Sequence, residues 1–252
     1  MSPTRTAFVT AAARGLARGI VLDLTRAGFR VAFTYRPGGT PPEGTLEAAR
    51  ATGGPEPVAI AADHGQSGET GRSVRSAQDA LGPIDAYVHT VGPIVVKSFA
   101  SSGMDDYRTM LAGNLESAVE GALAILPAMR ERGYGRLIFF GMNGSHVTLP
   151  ASGLSLYGAA KAGVTAFART LALEEGKRGI TVNVIEPGDI RDKKADRTAA
   201  YARPANNPTG HAGSWEDIAY AVRVLLADDA SFINGQALAV NGGLTEPYER
   251  TR

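Results

Sequence analysis

Short apolar runs alternate with longer segments of helical period from one end of the chain to the other. Thr6–Thr10, Arg30–Tyr35, Val58–Ala62, Ala86–Thr90, Arg136–Phe140, Thr181–Ile185 and Ala237–Val240 are short and apolar with β-branched and aromatic residues, and they read as buried strands. Gly15–Ala27, Leu46–Thr52, Gly68–Leu81, Met104–Arg132, Leu156–Glu175 and Trp215–Ala227 have the spacing of helices. Such alternation builds βαβ units. It predicts an α/β fold: one doubly wound parallel sheet of about seven strands with helices on both faces, spanning residues 1–252 as a single domain.

Pro/Gly clusters such as Arg36–Pro42 fall between elements as loops. Asp189–Gly213 is longer, polar and rich in Pro, Asn and Thr. Because ligands of such sheets bind beyond the carboxyl ends of the strands, it is a candidate substrate loop, and a solvated connector explains its composition equally well.

Composition narrows the chemistry. The 252 residues are 44% hydrophobic and 20% charged, as in ordinary globular proteins, and the net charge of +1 argues against a nucleic-acid partner. With no Cys and four scattered His, no metal site is expected. The start of the chain carries no signal-like apolar core and no run reaches membrane-spanning length, so the expectation is a cytoplasmic protein without a membrane partner.

The most informative stretch is Tyr157-Gly-Ala-Ala-Lys161, a phenol and an amine four residues apart and hence on one helical face. A phenol titrates near pH about 10, so acid–base work at neutral pH calls for a neighbouring cation. Taken alone, the pair also fits an exposed amphipathic face.

Strand one runs into Thr10-Ala-Ala12-Ala13-Arg14-Gly15-Leu16-Ala17, a strand-to-helix turn where a pyrophosphate would meet amides and the helix dipole. Ala11 and Ala17 stand where glycines are usual. Strand two ends in Tyr35-Arg36, where an acidic residue would hold an adenosine ribose. A guanidinium there, with Arg14 beside the turn, suits a 2′-phosphate and predicts NADP(H).

With these residues in view, the sequence resembles the short-chain dehydrogenase/reductase family, a Rossmann-fold family, over nearly its whole length. The acyl carrier protein ketoreductase-like branch is the most similar. Thr10–Ala17 matches the glycine-rich turn, and Asp63-His64 the adenine-contacting Asp and its neighbour. His89-Thr90-Val91-Gly92 stands for Asn-Asn-Ala-Gly, and Asn114 for the catalytic Asn. Tyr157 and Lys161 match Tyr-x-x-x-Lys, Pro187-Gly188-Asp189-Ile190 the nicotinamide-side loop, and Ile233–Gln236 with Val240–Gly243 the C-terminal signature. The resemblance implies that Tyr157 donates a proton to a carbonyl oxygen as hydride arrives, that Lys161 lowers its pKa and binds the nicotinamide ribose, and that Asn114 holds a relay water. It implies a small carbonyl or acyl-thioester substrate and a homo-oligomer, tetramer or dimer, paired through its long helices.

The match breaks at the Ser that binds the substrate oxygen. Counting from strand five puts Met142 there, which cannot donate a hydrogen bond; counting back from Tyr157 gives Ser145, the provisional ligand; Asn143 is a third candidate. Asp192 stands where a Thr usually contacts the carboxamide, and His89 is expected to be a packed strand-end residue. The expected activity is NADPH-dependent reduction of a ketone or 3-oxoacyl group. The rivals are an NADP(H)-binding sensor with impaired catalysis and an enoyl reductase on the same fold.

Overall fold

Hydrophobic strands with no polar face are stable only when covered on both sides, and the arrangement follows from that requirement. In the computed structural model, which describes residues 5–190 and 192–244, β1 (Thr6–Val9), β2 (Arg30–Tyr35), β3 (Val58–Ala61), β4 (Ala86–His89), β5 (Gly135–Phe140), β6 (Ile180–Pro187) and β7 (Ala237–Val240) form one parallel sheet. The strand order is β3-β2-β1-β4-β5-β6-β7. The order reverses between β1 and β4, which opens a crevice at their carboxyl ends, where such folds bind ligands.

One face of the sheet packs Phe8, Tyr87, Phe139, Val164, Ala168 and Val182 into a continuous core. α3 (Glu69–Leu81), α5 (Ser117–Arg132) and α6 (Ser155–Glu175) cover it. The other face buries Val9, Ile20, Leu24, Val31, Ile218 and Val222 beneath α1 (Gly15–Arg26) and α8 (Trp215–Leu226). α1 and α8 touch closely at Gly19, where a Cβ would lie 2.4 Å from the Trp215 ring.

Two elements differ from the sequence expectation. The helix expected over Met104–Arg132 is interrupted: α4 (Met104–Leu111) passes into a wide π turn at Ala112–Glu116 before α5 begins. The cause is local, since Asn114 Nδ2 donates to the Met110 carbonyl at 2.9 Å and Ser117 Oγ to the Gly113 carbonyl at 2.8 Å, drawing both oxygens away from the backbone ladder. The candidate substrate loop is also not wholly irregular. It holds a one-turn helix, α7 (Arg197–Tyr201), capped by Asp196, and an isolated bridge between Pro204 and His211. The eight-residue helix at Glu43–Arg50, α2, starts earlier than its apolar spacing indicated.

Candidate active site

The crevice begins at the turn after β1. Thr10 is fully buried, its hydroxyl accepts from Thr90 N–H at 2.9 Å, and its carbonyl accepts from the Thr90 hydroxyl, which locks the ends of β1 and β4 together. Ala11 then adopts φ +53, the left-handed region that usually selects glycine and that costs a residue with a Cβ about 1–2 kcal/mol. Its N–H donates to Thr34 Oγ1 at 2.7 Å, and Ala12 N–H to the Thr34 carbonyl at 2.8 Å, so β2 holds the strained turn in place.

Gly15 (φ +67) opens α1, whose N-cap, Arg14, supplies no side-chain cap. The first amides of the helix therefore remain available to an anion. Ala13 and Leu16 flank this end half-buried, and the stem of Lys193 crosses it, with Cδ 3.6 Å from where a Gly15 Cβ would be. Nothing in the sequence marked Lys193 as a nucleotide residue, because its position depends on how the 189–213 segment folds back.

At the end of β2, Tyr35 is half-buried and the Arg36 side chain is 75% exposed, 3.7 Å from Asp63 Oδ2. Its guanidinium faces solvent beside the expected adenosine end. His64, grouped with the cofactor residues on sequence, turns its ring inward instead. The ring is buried between Thr34 Oγ1 at 2.7 Å and Thr70 Oγ1 at 2.8 Å, and burial lowers its pKa to about 4. Only its backbone can face a nucleotide; the side chain supports the Ala11 turn through Thr34.

The other end of the crevice gathers Tyr157, Lys161 and Asn114. α6 carries the half-buried Tyr157 one turn before the buried Lys161, with Lys161 Nζ 5.8 Å from the phenol ring centre. Lys161 donates to the Phe140 carbonyl at the end of β5, at 2.8 Å. Desolvation lowers its pKa to about 7 and raises that of Tyr157 to about 12. The expected depression of the Tyr157 pKa by Lys161 is thus not seen in the protein alone: burial sets both shifts, and the phenol is a protonated donor at neutral pH.

Asn114, on the π turn, is fully buried. Its Nδ2 donates to the Pro93 and Met110 carbonyls, while Oδ1 finds no partner. Gly92 completes the cradle, because a Cβ there would lie 2.9 Å from Lys161 Nζ and 3.0 Å from Asn114 Oδ1. Val91 is buried beneath it, and Pro187, the last residue of β6, lies half-buried with Gly188, Asp189 and Ile190 after it, Gly188 pressed against Asn241. An orphaned acceptor, a lysine donor and an opening kept free of Cβ fit the hydroxyls of a ribose. The uncapped helix end with Arg14 and Lys193 fits phosphates. These residues together could hold a nicotinamide dinucleotide.

The three candidates for the missing Ser separate cleanly. Met142 Cε lies 3.7 Å from the Cβ position of Gly158, on the turn that carries Tyr157. Ser145 is buried away from it: Oγ donates to Glu186 Oε1 at 2.6 Å and lies 2.9 Å from Thr165 Oγ1. In this structure the Ser145 hydroxyl, the provisional ligand of the substrate oxygen, is engaged by Glu186 rather than presented to the crevice. Glu186, fully buried, also accepts from Gly144 N–H, His146 N–H and His146 Nδ1, and so pins the loop after β5. The signal for Glu186 was present as one acidic residue ending an apolar strand. Asn143 is half-buried, with Oδ1 accepting from Asn241 Nδ2 at 2.7 Å. Asp192 is tied to Arg203 at 3.2 Å and to Lys194 N–H at 2.9 Å. His89 is buried between the Tyr87 hydroxyl at 2.9 Å and Ser117 Oγ at 3.1 Å, with burial holding its pKa well below the usual value.

Among the described residues no helix is long and apolar enough to cross a membrane, and no cluster of His, Asp and Glu could hold a metal ion.

Comparison with known proteins agrees with this geometry. Residues 10–245 match a family model described as enoyl-(acyl carrier protein) reductase. A 3-oxoacyl-acyl-carrier-protein reductase of Haemophilus influenzae is 32% identical over 94% of this chain and 97% of its own length. An inactive 2-(S)-hydroxypropyl-CoM dehydrogenase of Xanthobacter autotrophicus is 30% identical over 87% of this chain and 96% of its own. Among solved structures, a blue fluorescent protein from a metagenomic library, in complex with NADPH, superposes with a TM-score of 0.84 at 29% identity, covering 96% of this chain and 98% of that one. Strand order, the Tyr/Lys pair and a match across nearly the entire sequence lead to one assignment: the chain belongs to the short-chain dehydrogenase/reductase family of oxidoreductases.

Proposed function

We propose that the protein reduces a ketone or 3-oxoacyl-type carbonyl to an alcohol at the expense of NADPH. The observation that carries this reading is the convergence of Tyr157, the buried Lys161 and the unpartnered Asn114 Oδ1 around Gly92. A bound nicotinamide supplies hydride. The chain's own part is to meet the charge that develops on the substrate oxygen. Tyr157, protonated at neutral pH, donates its phenolic proton to that oxygen. Lys161, held by the Phe140 carbonyl, has further N–H donors for ribose hydroxyls, and its charge stabilises the phenolate left after proton transfer. Asn114 Oδ1 is suited to hold the water that reprotonates the site.

The preference for NADPH rests on Arg36, exposed at the end of β2, with Arg14 beside the turn. A homo-oligomer is supported by Leu123 on α5 and Leu173 on α6, 70% and 84% exposed on the two long helices.

A second reading has its own observation. Met142 stands where a hydroxyl donor is expected, and an inactive dehydrogenase is among the relatives, which favours an NADP(H)-binding protein with weak catalysis. One experiment divides the two. NADPH oxidation is followed with acetoacetyl-CoA and with a 2-enoyl-CoA, for the wild type and Tyr157→Phe. Turnover of the ketone that disappears in the folded variant supports the reductase. NADPH binding without turnover of either thioester supports the sensor, and turnover of the 2-enoyl-CoA alone supports an enoyl reductase.

A further inference from the structure

With Met142 unable to donate and Ser145 committed to Glu186, Asn143 is the remaining polar side chain of the stretch Met142–Ser145 in which the missing hydroxyl is sought. We propose that Asn143 donates the hydrogen bond to the substrate oxygen, through Nδ2, in place of the missing hydroxyl. The inference rests on the carbonyl-reductase reading above and assigns its oxyanion ligand.

Two contacts locate Asn143. Its chain neighbour Met142 lies against Gly158, on the helical turn of Tyr157. Its hydrogen-bond partner Asn241 lies against Gly188, where a Cβ would approach Asn241 Cα to 2.5 Å, at the nicotinamide-side loop. Asn143 therefore sits between the proton donor's helix and the segment expected to border the nicotinamide.

The orientation of its amide follows from backbone groups. Asn241 Oδ1 accepts from Gly243 N–H at 3.0 Å, and Asn241 Nδ2 donates to the Leu244 carbonyl at 2.7 Å. These two bonds fix which end of Asn241 is the amine. The second Nδ2 proton of Asn241 needs an acceptor, so Asn143 must present Oδ1 to it at 2.7 Å. Asn143 Nδ2 is left pointing away from Asn241, with no hydrogen bond among the described residues, on a half-buried side chain. An amide fixed at its oxygen and open at its nitrogen is a preorganised donor, which stabilises charge developing on a carbonyl oxygen without reorganising. Tyr157 still transfers the proton; Asn143 donates a hydrogen bond and keeps its own.

The test uses the full chain with acetoacetyl-CoA as substrate, and compares wild type, Asn143→Ala, Asn143→Asp and the double variant Met142→Ser/Asn143→Ala. NADPH affinity is read separately by fluorescence. Asn143→Asp has the same shape without a donor, so it serves where the Ala variant folds poorly. The expected result is a kcat lower by on the order of a hundredfold in both single variants. NADPH affinity should stay within about twofold, and kcat should recover at least tenfold when Met142→Ser restores a hydroxyl. Retention of wild-type kcat by Asn143→Asp would overturn the assignment, as would a loss appearing only in NADPH affinity. A wild type that binds NADPH but reduces no carbonyl would instead overturn the reductase reading on which the assignment stands.

Discussion

Ser145 gives its hydroxyl proton to Glu186 across 2.6 Å, and that single bond decides what the loop after β5 can do. It turns the hydroxyl nearest in spacing to the usual Ser into a support, and leaves Met142 and Asn143 as the side chains of this stretch not tied to Glu186. Ser145→Ala removes one of four donors from a fully buried carboxylate whose Oε1 still accepts from His146 N–H, and a hydrogen bond to a charged group contributes about 1.5–3 kcal/mol. The expected outcome is a lower urea midpoint with kcat on acetoacetyl-CoA reduced far less than in Tyr157→Phe. Equal losses of kcat in the two variants would return Ser145 to the chemistry.

The Gly92 opening gives a steric prediction. A methyl at Gly92 would lie 2.9 Å from Lys161 Nζ and 3.0 Å from Asn114 Oδ1, and both side chains are buried and fixed by the bonds that Lys161 Nζ and Asn114 Nδ2 donate to carbonyls. Gly92→Ala should therefore displace the lysine or close the space above it. Displacements of this size at a reacting centre cost on the order of a hundredfold in rate. Activity and NADPH affinity should both fall, while the thermal midpoint moves little, because the residue is open to the crevice and buries no apolar surface. A variant with wild-type affinity and rate would show that this space is not used.

What could be read in the sequence divides by range. β2 and β7 have the ends that periodicity predicts, and α6 was legible because a long apolar helical pattern is decided within its own residues. Tyr157 and Lys161 share a face by helical geometry alone. The π turn was not legible, since it depends on Asn114 and Ser117 side chains competing for the Met110 and Gly113 carbonyls and on Gly113 approaching Pro93. The direction of the Ser145 hydroxyl was not legible either, because counting along the chain carries no direction. Its partner Glu186 lies forty-one residues away, on the neighbouring strand. Lys193 over Gly15 is long-range in the same sense.

Lys161 should leave a signature in the alkaline limb of stability. Its pKa is about 7 in the folded protein, against an ordinary value of 10.5. Between those values the unfolded chain binds a proton that the native protein does not, so stability rises with pH through that window, by at most about 1.4 kcal/mol per pH unit. Urea unfolding at pH 7 and pH 9.5 should show this gain in the wild type. Lys161→Met should be flatter, and more stable than the wild type at pH 7 because no buried charge must be carried. Parallel pH profiles for the two proteins would mean that Lys161 is charged throughout in the folded state.

His64 gives the opposite test, on the acid side. Burial lowers its pKa from 6.5 to about 4, and the neutral ring bridges Thr34 and Thr70. From pH 6.5 down to about 4 the unfolded chain takes up a proton that the native protein refuses, so stability present above that window is lost as pH falls through it. His89, also held neutral by burial, adds to the same slope. The effect of His64 reaches further than a proton, because Thr34 Oγ1 also receives the N–H of Ala11, whose left-handed conformation shapes the turn before α1. His64→Gln keeps hydrogen-bonding capacity and cannot be charged. Its unfolding free energy should fall less steeply than that of the wild type between pH 6.5 and 4, and NADPH affinity measured over the same range should become less pH-dependent. An unchanged slope in the variant would place the acid sensitivity in other groups and detach His64 from the nucleotide turn.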